Sequence, residues 1–155
     1  MRLPITGGCQ CGTVRYELAA EPITLYACHC RDCQRQTGSA FALSLMVARD
    51  AVRVTKGAPA VWDRPGSHTS SGTPAACLFC AACGARLYHL PSRNQAMAVV
   101  KPGTLDDTSW LKPVGHIWTR SAQPWVIFEE GTLLYEGQPP DLAALNKAWQ
   151  AQQRG

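Results

Sequence analysis

Cys28-His29-Cys30-Arg31-Asp32-Cys33 packs three thiols into six residues, and two further cysteine pairs bracket it in the chain. These are Cys9-Gln10-Cys11 upstream and Cys80-Ala81-Ala82-Cys83-Gly84 downstream. A C-x-C or C-x-x-C turn folds two sulfurs towards one point, as a tetrahedral ion with short Zn–S bonds requires. We read Cys9, Cys11, Cys80 and Cys83 as a closed four-thiolate site whose zinc ties the N-terminal segment to the later half of the chain. Cys28, Cys30 and Cys33 are then one ligand short. An open coordination position is what distinguishes a zinc ion that does chemistry from one that only holds a fold.

Other partitions remain open on spacing alone. The outer pairs could serve different ions, and the middle site could be closed by Cys77, His29, His68, His89 or His116. Cys77-Leu78-Phe79-Cys80 repeats the C-x-x-C spacing, yet Cys77 reads better as a small buried thiol. His29 lies between two ligands, so its side chain should point away from the metal that they grip. Arg31 and Arg35 stand beside the open site, where they could contact a substrate carboxylate, although singly each reads as a solvated arginine. Trp118 and Trp125 fall in apolar runs and read as core.

The elements that must position these groups are mostly short strands. Eleven prolines and thirteen glycines in 155 residues favour frequent turns over long helices. Alternating or apolar runs predict strands at Thr13–Leu18, Ile23–Ala27, Phe41–Val47, Ala51–Thr55, Ala60–Trp62, Arg86–Leu90, Ala96–Val100, His116–Thr119 and Trp125–Phe128. The Arg49-Asp50 turn would make Ala51–Thr55 the neighbour of the strand before it. Asp32 to Gln36 fits one helical turn stopped near Gly38. Residues Arg64 to Pro74 read as a polar loop. Only Asp141 to Gln153 has helical spacing for any length, with Leu142, Leu145 and Trp149 on one face and Asp141 as a cap. The fold class is mainly β with a short C-terminal helix, in one domain spanning residues 1–155.

Composition narrows the function. Apolar residues at 46% and charged residues at 17% describe a globular chain. The start carries no apolar core of signal-peptide type and no stretch reaches membrane-spanning length. A cytoplasmic, reducing location follows as an expectation, and there grouped cysteines serve metals more often than disulfides. The formal charge of +4 falls to about +1 once seven thiolates hold two Zn²⁺. With no basic stripe, nucleic acid is not an expected partner, and no membrane partner is expected either. An iron–sulfur cluster would use the same cysteines.

Taken together, Gly8-Cys9-Gln10-Cys11-Gly12-Thr13-Val14-Arg15-Tyr16, the Cys28–Cys33 hexapeptide with Gly38, and Phe79-Cys80-Ala81-Ala82-Cys83-Gly84 resemble the glutathione-dependent formaldehyde-activating enzyme family, also called the CENP-V/GFA domain. The likeness continues through Pro113–Trp118, Pro124-Trp125 and Gly137-Gln138-Pro139. It implies an Mss4-like β-tent of small antiparallel sheets around zinc. It also implies a structural zinc on Cys9, Cys11, Cys80 and Cys83 and a reactive zinc on Cys28, Cys30 and Cys33. The implied activity is that of a carbon–sulfur lyase joining a thiol, glutathione in the family's name, to formaldehyde or another small aldehyde. One departure is Cys77, where the family usually carries a basic residue. The competing expectation is a non-catalytic scaffold with both metal sites closed. Either form could be a homo-oligomer.

Overall fold

The computed structural model describes residues 2–154. Eleven strands and two α-helices follow one another as β1 (Ile5–Gly8), β2 (Arg15–Leu18), β3 (Thr24–Cys28), α1 (Arg31–Thr37), β4 (Ala42–Ala48), β5 (Val52–Lys56), β6 (Ala60–Arg64), β7 (Ala75–Phe79), β8 (Arg86–Pro91), β9 (Met97–Val100), β10 (Gly115–Ile117), β11 (Leu133–Tyr135) and α2 (Ala143–Arg154). A three-stranded sheet has the order β1-β2-β5, and an eight-stranded sheet runs β11-β10-β3-β4-β9-β8-β7-β6. Pairing is antiparallel except that β10 runs parallel to both β3 and β11. The mainly β class with one C-terminal helix is therefore what the turn-rich composition implied.

β3 lies in the middle of the large sheet, and all five of its residues are buried. A strand covered on both faces reads as a continuous apolar run, and Leu25-Tyr26-Ala27-Cys28 is one. Its single polar member, Thr24, donates its hydroxyl hydrogen to the Leu145 carbonyl at 3.1 Å. That bond helps seat α2 on the sheet. Leu145 and Trp149 form the buried stripe of the helix, and Trp149 Nε1 donates to the Pro22 carbonyl at 3.1 Å. Asp141 Oδ1 accepts from the Ala143 amide at 2.8 Å, the role its position before the helix predicts. The two sheets meet where the Tyr16 ring packs edge-on against Tyr88, 6.4 Å between centroids.

Gly115 shows how closely helix and sheet approach. A Cβ there would lie 2.5 Å from Leu145 Cδ2 and 2.8 Å from the Leu133 carbonyl oxygen. The carbonyl belongs to a paired strand and cannot retreat far. Gly115→Ala should destabilise the fold by about 1–3 kcal/mol, the usual range for overpacking, read as a lower midpoint in urea unfolding.

Two expectations are corrected. Ala51–Thr55 does form a strand, but β5 pairs with β2 in the small sheet rather than with β4. Both edges of β4 are already taken, by β3 and β9. A short 3-10 turn at Arg49–Ala51 carries the chain across. Residues Trp125–Phe128 are not a strand, and Trp125 is 69% exposed and Ile127 90% exposed. The Val126 amide closes a turn onto the Gln123 carbonyl at 3.0 Å just after Pro124, and the outer edge of β10 is filled by β11. Trp125 is thus not a core residue, whereas Trp118 is buried. No helix of the described residues is long and apolar enough to cross a membrane.

Candidate metal centres

The first cysteine group is made by two knuckles of the same design. In one, the Cys9 amide donates to the Val14 carbonyl and Gly12 turns back to the Cys9 carbonyl. In the other, the Cys80 amide donates to Ala85 and Gly84 returns to Cys80. Each second cysteine is followed by a glycine at φ +73°, a left-handed conformation that glycine adopts without strain. The chain thereby reverses while both sulfurs stay on the inner side. Although they belong to segments 69 residues apart, Cys11 Sγ and Cys80 Sγ lie 3.8 Å from each other, with Cys9 Sγ and Cys11 Sγ at 3.5 Å. Tetrahedral sulfurs on bonds of ~2.3 Å sit roughly 3.8 Å apart, so these separations are close to what a zinc ion requires.

Local hydrogen bonds prepare three of these sulfurs to be thiolates, whereas burial and the neighbouring Cys9 and Cys83 push the pKa of Cys80 up to about 11. The Val14 amide donates to Cys9 Sγ at 3.2 Å and lowers that thiol's pKa. Hydrogen bonding at Thr13 lowers Cys11, and the backbone at Ala85 and Cys11 lowers Cys83. All four sulfurs lie within 4.8 Å of one another, and so do those of Cys28, Cys30 and Cys33. Each group could hold a metal ion.

The second group is delivered by the end of β3 and the start of α1. Cys30 is the N-cap of α1, its sulfur accepting from the Cys33 amide at 3.4 Å, and Gly38 closes the helix at φ 62°. The three sulfurs are almost entirely buried. Hydrogen bonds from Cys28 and then Cys30 hold the Cys33 pKa down to about 3. The same contacts, with burial, push Cys28 well up. Within this hydrogen-bonded trio Cys33, next to the helix start, is held low and Cys28 high.

None of the histidines weighed as a fourth ligand joins this group among the described residues. His29 turns to the opposite face of the sheet, where its Nε2 lies 2.9 Å from His116 Nδ1. Phe41 and Phe128 flank its ring at 5.2 and 5.6 Å. Burial, with His116 beside it, lowers the His29 pKa to about 4. Cys77 is fully buried in β7 and its sulfur points to the Ala75 carbonyl at 3.7 Å. It stands opposite Trp62 and His89 in the sheet and outside both cysteine groups.

What the three sulfurs do face is a cavity of about 150 Å³, lined by Cys28, Cys30 and Cys33 together with Tyr26, His89 and Trp118. A wider groove of about 590 Å³ adjoins it, and Asp32, Gln36, Arg64 and Thr69 belong to both. The polar loop expected at Arg64 to Pro74 borders them. Asp32 Oδ2 accepts from the Ser70 amide at 2.6 Å and hydroxyl at 2.7 Å, which fixes that loop to α1.

Residues 4–121 match the family described as "Glutathione-dependent formaldehyde-activating enzyme". The chain belongs to that family. A crystal structure of a Rhodobacter sphaeroides protein is similar in fold, at 22% identity and a TM-score of 0.54, over 84% of this chain and 99% of that one. In this family member, then, the four-cysteine and three-cysteine groups are the parts that could carry metal, and the cavity is what distinguishes the second from the first.

Of the arginines singled out in the sequence, Arg31 is exposed and its guanidinium donates to Gln34 Oε1 at 3.3 Å, outside the cavity. Arg35 lines the outer groove. Three cavity residues escaped the sequence reading. Tyr26 could have been found, because it lies two positions before Cys28 on one strand and so shares its face. Arg64 could not, since its place depends on the pairing of β6 with β7. Trp118 was read as core, but it also walls the cavity. It adopts φ 58°, a left-handed conformation that costs a non-glycine residue about 1–3 kcal/mol and concentrates at functional sites. Its indole Nε1 donates to Gln138 Oε1 at 3.4 Å, and the Arg120 guanidinium sits 4.8 Å from the ring centroid.

Proposed function

We propose that this family member is a zinc-dependent carbon–sulfur lyase-type enzyme of the cytoplasm, one domain over residues 1–155. It condenses a thiol such as glutathione with formaldehyde or another small aldehyde. One observation carries the reading: three sulfur donors converge, no fourth protein donor joins them among the described residues, and a cavity opens on that side. Four sulfurs would seal an ion, whereas three leave it one position for a substrate.

A zinc ion held by Cys28, Cys30 and Cys33 would supply a Lewis-acid position that lowers the pKa of a substrate thiol. The chain's own residues do the rest. Cys30 fixes the ligand spacing by capping α1. Trp118 and the Asp32-anchored loop narrow the cavity, so that thiol and aldehyde meet in a restricted volume. In the condensation a new S–C bond forms as the carbonyl π bond opens, and the thiol's proton ends on the resulting oxygen. Tyr26 keeps its own proton, since burial and the nearby Cys28 raise its pKa. It can donate a hydrogen bond to that oxygen without giving up charge.

The test is spectroscopic as well as kinetic. Cobalt-substituted protein should change its visible spectrum on titration with glutathione, as one tetrahedral site gains a sulfur. The zinc protein should speed formation of the hemithioacetal over the mixed reagents alone. A spectrum indifferent to thiols, with no rate above background, would instead identify a closed scaffold.

A further inference from the structure

Four basic side chains lie together beside the three-cysteine group, and none of their buried nitrogens is matched. Arg64 Nε, Arg86 Nε and Nη2, His89 Nδ1 and Lys101 Nζ are all shielded from solvent without a hydrogen-bond partner among the described residues. Buried donors are almost always paired, so the four unmatched arginine and lysine nitrogens call for an acceptor, and Nδ1 of neutral His89 joins them in the tautomer that carries its proton there.

Strand pairing explains how they converge. Val99 stands opposite both Met46 and His89, and Met46 opposite Thr24, on the face that also carries Tyr26 and Cys28. Lys101, two residues past Val99 in extended conformation, continues on that face. His89 pairs with Cys77 and Cys77 with Trp62, two before Arg64. Arg86 is brought in by an irregularity. The β7–β8 register shifts between Leu78 and Phe79, which sets Arg86 opposite Phe79. Bulges commonly re-aim a side chain next to a site in this way.

The charges do not balance internally. Arg64, Arg86 and Lys101 as its ammonium make three cations. Against them stand Asp32 and, once the three thiolates hold a divalent ion, about one net negative charge. His89 adds none, since burial and these three cations keep it neutral. Lys101 is only 7% exposed. About one positive charge is left over among these buried groups, and the exposed Arg93 of the cavity wall and Arg35 of the groove add to it. Arg86 also offers a geometric signature, because its free Nε and Nη2 are the two parallel donors of a guanidinium fork that a carboxylate matches.

We propose that Arg86 and Arg64, backed by Lys101 and His89, bind the carboxylate of the thiol substrate at the junction of the cavity and the outer groove. This rests on the thiol-plus-aldehyde reading and adds the residues that would select a thiol bearing a carboxylate. A cavity near 150 Å³ holds a molecule of about benzene size. The sulfur end must therefore be compact, with any larger remainder lying in the groove past Arg64.

The test compares three probes on the zinc-loaded protein by calorimetry: 3-mercaptopropionate, 2-mercaptoethanol and propionate. Charge-assisted hydrogen bonding should favour 3-mercaptopropionate over 2-mercaptoethanol by about ten- to a hundredfold. Propionate alone should bind measurably. Arg64→Gln, at the partly exposed sheet edge, and Arg86→Gln should each close most of that gap while retaining two zinc ions. Arg53→Gln on the small sheet should leave it intact, and Lys101→Met gives a third variant with a buried, uncharged replacement. Equal binding of the two thiols by the wild type, or a gap that survives both arginine changes, overturns the assignment. Carboxylate-dependent binding without hemithioacetal formation would uphold this pocket while removing the enzymatic reading. Turnover with thiols regardless of carboxylate would do the reverse.

Discussion

Cys80→Ser should yield a chain that does not reach the native state. Cys80 is 1% exposed and sits where the knuckle after β7 meets the one after β1. Oxygen in place of sulfur is a poor, mis-sized donor for a soft tetrahedral site. Structural zinc contributes an apparent ~10–16 kcal/mol in small domains, against a typical whole-domain stability of about 5–15 kcal/mol. The small sheet has three short strands, and its attachment to the large one leans on this tie and on the Tyr16–Tyr88 contact. The expected result is loss of the cooperative thermal transition and of far-ultraviolet strand signal, with the same outcome when wild-type protein is stripped by a strong chelator. A Cys80→Ser protein that melts cooperatively near the wild-type temperature would mean that this cluster is not a structural zinc site.

The second large effect separates chemistry from folding. Cys30→Ser should bring the zinc count by mass spectrometry from two to one per chain and reduce turnover to the background of the mixed reagents. The fold should survive. Serine is chosen over alanine because Cys30 is also the N-cap of α1, accepting from the Cys33 amide. Losing a cap costs about 1 kcal/mol, and serine is a good cap. Any loss of activity in Cys30→Ser then reflects the missing sulfur. If the variant unfolds as Cys80→Ser is expected to, the second centre is structural too and the enzymatic reading loses its basis.

The cysteine groups were legible because they are local. C-x-C and C-x-x-C spacings fix where sulfurs can point within a few residues, whatever surrounds them. The glycine after each outer pair marks the left-handed turn that the structure contains at Gly12 and Gly84. The helical turn stopping at Gly38 and the α2 stripe of Leu145 and Trp149 were readable for the same reason. Most strands were also legible from alternation. Trp125–Phe128 was not, because an apolar run becomes a strand only where a sheet edge is free to receive it.

The order of amino acids by itself determined a mainly β chain, the family it belongs to, and the two sets of sulfurs, all set by short-range spacing. Tertiary structure alone decided which strands are neighbours and that His116 is what His29 faces; that His29 turns from the metal and that Cys77 is buried were already readable in the sequence. Tertiary structure also brought Arg64, Arg86, His89 and Lys101 together beside Cys33. Those four residues come from two strands, β6 and β8, and the segment just after β9, and one of them depends on a one-residue register shift. Spacing along the chain carries no information about such a meeting, because it is fixed by the pairing of strands distant in sequence.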